Sequence, residues 1–100
     1  MSDFILKPDP QFKKDYQVFK RDHPELISEF KVALRELKIN GTVPDSYNPH
    51  GLDNRGGLYN GNLDFHLSDG QVDVVVIYIP HKTNPIIRLV RIGTHKDLFQ

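Results

Sequence analysis

A chain of 100 residues, 38% hydrophobic and 26% charged, has the composition of an ordinary folded domain and enough mass for one modest core. Thirteen basic and thirteen acidic residues cancel, so net charge gives no support for nucleic-acid binding, and the absence of cysteine excludes a disulfide framework, a thiol nucleophile and a Cys-ligated zinc. Met1-Ser2-Asp3-Phe4 carries no secretory signal pattern, and no apolar run approaches the ~20 residues needed to span a bilayer. The expectation is one soluble, cytoplasmic domain over residues 1–100 that needs no membrane.

Phe4-Ile5-Leu6, closed by Lys7-Pro8, reads as a brief first strand. Asp9-Pro10 is a helix start with proline in the first turn, and Phe12, Tyr16 and Phe19 recur at helical spacing to about Arg21. Asp22 and Glu25 have capping-box spacing around Pro24 and restart a helix. Its apolar stripe is Leu26, Phe30, Ala33, Leu34 and Leu37, ended by Asn40-Gly41 as a left-handed cap. Together these predict an αα-hairpin. Thr42 to Gly57 shows no period and reads as a long loop, a common place for function. The period then changes to two: Leu63, Phe65 and Leu67 alternate with Asn62, Asp64 and His66. Ser68-Asp69-Gly70 is turn chemistry, Val72 to Ile79 a β-branched central strand, and Pro80 to Pro85 a second turn. Ile86 to Ile92 completes a three-stranded antiparallel meander. Gly93 breaks the pattern, and Thr94 is placed to cap a short helical turn carrying His95 and Phe99. Strand, two helices, then three strands predict an α+β fold, one sheet with the helices on one face and the other face open.

If Leu63, Phe65 and Leu67 pack under the helices, Asp64 and His66 project from the opposite face. His50 lies in the loop feeding the meander, Asp73 opens the central strand, and His95 leaves the end of the last one. Three of the five histidines and two carboxylates can therefore converge on one surface. Imidazoles exchange protons near neutral pH, and a carboxylate beside one holds its tautomer and favours its protonated form. Two imidazoles flanking a phosphodiester suffice to cleave RNA: one takes the 2′-hydroxyl proton, the other protonates the departing 5′-oxygen. Arg88 or Arg91 is placed to offset charge developing on the phosphoryl oxygens. His81, in a turn, and His23, at a helix start, read as ordinary surface residues. His50, Asp64, His66 and His95 include donors suited to zinc, but no pair has a compact metal-ligand spacing, so no cofactor is expected.

The carboxy-terminal half resembles a known family. Arg91-Ile92-Gly93-Thr94-His95-Lys96-Asp97-Leu98-Phe99 is similar to the closing Gly-Thr-His-x-x-Leu-Phe signature of YafQ-type toxins, of the RelE/ParE superfamily of toxin–antitoxin modules. Leu63-Asp64-Phe65-His66-Leu67 resembles the family's Asp-x-His strand, and Val72-Asp73-Val74-Val75-Val76-Ile77-Tyr78 the strand after it. Asn48-Pro49-His50-Gly51-Leu52 is similar to its His-Pro-Leu segment with His and Pro exchanged. Val74 stands where the family often has tryptophan. The resemblance implies a RelE-like fold and a ribosome-dependent mRNA endonuclease, silenced by a cognate antitoxin in a tight complex that represses its own operon. It implies catalytic roles for His50, Asp64, His66, Asp73 and His95. His95 would be the general acid, His66 or His50 the base, and Phe99 a stacking platform for a base of the mRNA. A non-catalytic ParE-like toxin or a protein-binding module on the same fold is the alternative. Because the chain is neutral overall, RNA contact would need a local basic patch, for which Lys13, Lys14, Lys20 and Arg21 are candidates.

Overall fold

The computed structural model describes residues 3–52, 61–68 and 71–99. In chain order the elements are β1 (Ile5–Pro8), α1 (Pro10–Asp22), a 3₁₀ turn (Pro24–Leu26) and α2 (Ile27–Asn40). A second 3₁₀ turn (Asp45–Tyr47), β2 (His50–Gly51), β3 (Leu63–His66), β4 (Val75–Pro80), β5 (Ile86–Gly93) and α3 (His95–Phe99) follow. The class is the α+β one read from the sequence. The sheet is mixed and five-stranded, in the order β1-β5-β4-β3-β2, with β1 parallel to β5 and the other pairs antiparallel. Among the described residues no helix is long and apolar enough to cross a membrane.

The helices cover one face, as their apolar stripes require. Phe12 and Phe19 of α1 and Phe30, Ala33 and Leu37 of α2 are buried against Phe65, Leu67, Val76, Tyr78, Ile87, Leu89 and Ile92. Phe30 sits at the centre of a ring cluster, with centroids 6.2 Å from Phe12, 5.3 Å from Tyr16 and 5.5 Å from Phe19. Gly41 ends α2 in the left-handed region at φ 77°, its N–H donating to the Leu37 carbonyl. A Cβ there would lie 2.7 Å from the Phe4 ring, so glycine is required for conformation and for space.

Several local expectations change. The capping box at Asp22 does not form: Asp22 belongs to α1 and pairs with Arg21, and Pro24–Leu26 makes a 3₁₀ turn before α2 begins at Ile27. The loop read over 42–57 contains β2, two residues long, which adds a strand beyond Leu63–His66; residues 53–57 lie outside the described residues. The central strand starts at Val75 instead of Val72: Val74 donates its N–H to the Val72 carbonyl in a tight turn, and Asp73 within it holds His95. Of the turn at Ser68-Asp69-Gly70, only Ser68 falls among the described residues; it sits at φ 56° and donates its N–H to Glu29 of α2 at 2.8 Å.

The second face is not fully open. Leu98 of α3 packs on Val75 and Ile77, with Leu52, Val90 and Phe99 around them. A bulge in β5 sets this up: Ile77 pairs with Arg91 but Tyr78 pairs with Leu89, leaving Val90 as the extra residue. The extra residue keeps Ile92 on the helix-side core with Ile87 and Leu89, despite the odd spacing.

Candidate active site

The site is built where β2, β3 and the start of α3 meet on the face away from α1 and α2. His50 faces Asp64 directly across the β2–β3 pair, and His66 faces Val75, which in turn faces Gly93. Gly93 then lets α3 start close to the sheet; a Cβ there would meet Leu98 at 3.3 Å. Thr94 caps that helix, its hydroxyl accepting the Asp97 N–H at 3.1 Å. The result is a row of four rings. His50 and His66 stack with centroids 5.7 Å apart, His66 and His95 follow at 5.4 Å, and His95 and Phe99 at 5.6 Å.

Two of the imidazoles have a tautomer dictated by their partners. Asp73 holds His95 twice, through its backbone N–H at 3.1 Å and through ring Nδ1 at 2.6 Å. A carboxylate only accepts, so His95 Nδ1 carries a proton and Nε2 is the atom left to work. His50 Nδ1 lies 3.0 Å from the Asn48 carbonyl, which likewise only accepts, so its Nε2 keeps a lone pair when the ring is neutral. Asn48 itself stands at φ 52°, a conformation asparagine tolerates, and this turns its carbonyl toward the ring.

Asp64 is the unusual member. It is 2% exposed, where the sequence placed it on an open face, and burial pushes its carboxyl up from the ordinary 3.8. The positive charge available on His50, His66 and His95 acts in the opposite direction. Its Oδ1 is 3.2 Å from His50 Nδ1, close enough for charge to act, yet among the described residues it receives no hydrogen bond, since that N–H serves Asn48. Donor atoms of His50, Asp64 and His66 lie within 4.8 Å of one another, a spacing that a small cation could bridge.

The structure thus brings together His50, Asp64, His66, Asp73, His95 and Phe99. Arg88 and Arg91 turn elsewhere. Arg88 grips Asp9 bidentately at 3.1 and 2.7 Å, and Arg91 grips Asp15 of α1 at 2.6 and 3.1 Å. Asp15 also accepts the Ile92 N–H at 3.2 Å, beyond the reach of the short β1. Asn48 and Asp15 support the site and the sheet without being candidates in the sequence. Asn-Pro before His50 is a turn signal that marks the first; a partner 76 positions away has no local signal.

Residues 5–100 match the model of a family described as the bacterial toxin of the type II toxin–antitoxin system, YafQ. The chain belongs to that family. The E. coli DinJ–YafQ toxin–antitoxin complex contains a chain 26% identical to it, with a TM-score of 0.75, covering 95% of this chain and 96% of that one. YafQ from E. coli strain BL21(DE3) is 23% identical with a TM-score of 0.68, covering 95% and 97% of the two chains. A metal-bound toxin from Helicobacter pylori is 23% identical with a TM-score of 0.68, covering 96% and 99%. The last two likenesses speak to the fold alone. No curated protein sequence matches the chain. In this YafQ-family toxin, His50, His66, His95 and Phe99 form the ring row, with Asp64 and Asp73 beside it.

Proposed function

We propose that this toxin is an endoribonuclease that cuts messenger RNA on the translating ribosome by acid–base catalysis. The observation that carries the reading is the row His50–His66–His95, with His95 Nδ1 held by Asp73 at 2.6 Å and Nε2 left to exchange a proton. In this reading the base removes the 2′-hydroxyl proton and the 2′-oxygen attacks the adjacent phosphorus. The bond to the 5′-oxygen breaks, and His95 Nε2 gives that oxygen its proton. The products are a 2′,3′-cyclic phosphate and a 5′-hydroxyl. Displacement at phosphorus places attacking and leaving oxygens roughly in line. Acid and base therefore belong at opposite ends of the row, which favours His50 over His66 as the base. His66, between them, is then the donor nearest the phosphoryl oxygens. That charge, assigned from the sequence to Arg88 or Arg91, falls to His66, because Arg91 is engaged by Asp15 and Arg88 stands toward the other end of the strand, beside Lys7 and Ile79. Phe99 extends the row and offers a face on which a nucleobase stacks.

The partner in this reading is a cognate antitoxin, DinJ–YafQ being a toxin–antitoxin complex; it binds this toxin tightly and represses their operon with it. A protein-binding toxin without catalysis has no use for His95 gripped at two points by Asp73. His95→Ala should lower single-turnover cleavage on mRNA-programmed ribosomes by about 10²–10⁴-fold, with melting temperature and antitoxin binding unchanged. Full cleavage or full growth arrest by that variant would remove the acid role and return the chain to the protein-binding reading.

A further inference from the structure

The same sheet face carries a second feature at its far end. Lys7 of β1, Arg88 of β5 and Ile79 of β4 stand side by side in register. Side chains alternate along a strand, so these share the face of Ile77 and Val75, on which the ring row is built. The turn between β4 and β5 folds over them and closes a pocket of about 590 Å³ that also includes His81 and Lys82. That turn is held in shape, because His81 Nδ1 accepts the N–H groups of Thr83 at 3.2 Å and Asn84 at 3.0 Å.

The pocket has a one-sided charge. Lys7, Lys82 and Arg88 line it, and among the described residues no acidic one does. Asp9, outside the lining, pairs with Arg88, whose side chain remains 57% exposed with further N–H groups to give. Among the described residues neither Lys7 nor Lys82 has a carboxylate within ion-pair distance. The candidate patch read from the sequence lies elsewhere: Lys13, Lys14, Lys20 and Arg21 are on α1, in the layer across the sheet. Arg21 there pairs with Asp22, and Lys20 sits over the Tyr16 ring.

From Arg88 to the end of β5, where α3 begins, the strand spans roughly 15 Å. A single strand of a few nucleotides covers that distance, passing over the half-buried Val90. We infer that Lys7 and Lys82, with Arg88, form a phosphate-binding pocket for the backbone of the same RNA strand whose scissile bond lies at the imidazoles. This rests on the endonuclease reading and locates a cationic contact for a chain of zero net charge. Phosphate contacts position a strand without reading its sequence.

The test is the double charge reversal Lys7→Glu/Lys82→Glu, assayed on mRNA-programmed ribosomes across a salt series. The expected result is a kcat/KM about tenfold lower or more, with the single-turnover rate at saturation unchanged. The log–log dependence of KM on salt should flatten by about 1.4, the value for two lost contacts to a single strand. Lys7→Arg/Lys82→Arg should restore the original KM, the α1 reversal Lys13→Glu/Lys14→Glu should leave it unchanged, and a melting curve checks that each variant is folded. On mRNA truncated so that it ends short of the pocket, the effect of the double reversal should vanish. Unchanged KM and salt slope in the double variant would overturn the pocket, and an effect that persists on truncated mRNA would overturn its assignment to the substrate strand. Absence of cleavage by the unsubstituted protein is a different failure, that of the endonuclease reading itself.

Discussion

Asp64 concentrates the chemistry of the site in one carboxylate. It is buried, the charges of three imidazoles act on it, and among the described residues one of its oxygens has no hydrogen-bond partner. Its folded-state pKa is raised, so folding favours the protonated acid. The stability associated with this group is fully present below its ordinary 3.8 and is lost as pH rises through the folded value. At neutral pH the ionised form is therefore a cost to the fold, set against the charge it presents to His50 and its neighbours in the proposed chemistry. Asp64→Asn should raise the melting temperature at pH 7, with the gain shrinking as pH falls toward 4, while cleavage drops. Thermal melts of both proteins across that range check it; a variant less stable than the parent at pH 7 would mean that the carboxylate is a net structural asset. Asp73 is the contrasting case. Exposed, and bonded to His95 at two points, it acts as an orienting group. Both aspartates are candidates in the sequence, but their difference in burial is visible only in the folded chain.

At the scale of elements, α3 is the device that completes the site. Five residues are far too few to hold a helix in water, so its stability must come from the Thr94 cap and from Leu98 packed on Val75 and Ile77. Leu98→Ala removes roughly 2–5 kcal/mol of burial and packing, more than so short a helix can lose and stay docked. Cleavage should fall nearly as far as in His95→Ala although His95 is intact, and amide exchange over residues 95–99 should accelerate while the sheet stays protected. Retained activity would show that the tail is positioned by something other than Leu98. The β5 bulge belongs to the same device. Its trace is in the sequence, as the interval from Leu89 to Ile92 that breaks a strict alternation, yet a period of two alone reads Arg91 into the wrong row.

For the whole molecule, the sheet divides labour between its faces. The helix side holds the large core of Phe12, Phe19, Phe30 and the strand residues beneath them, and the ring row lies on the other side. Phe30→Leu should cost about 1–2 kcal/mol and lower the melting temperature by about 4–16 °C, with the rate of cleavage at 25 °C unchanged. A loss of rate larger than the loss of folded protein would mean that the layers are coupled. What the sequence determined by itself was whatever has a local period or a local steric signal: the two helical stripes, the alternation at Leu63–Leu67, the Gly41 stop, and therefore which side chains share a face. Asp64 and His66 followed from that parity, and His95 from the strand's end at Gly93. Tertiary structure alone decided the rest, because its partners are far apart in the chain: Asp73 with His95 over 22 positions, Arg91 with Asp15 over 76, and Arg88 with Asp9 over 79. Periodicity orients a side chain relative to its own backbone, but only the packing of strands and helices against one another chooses which distant charge it meets.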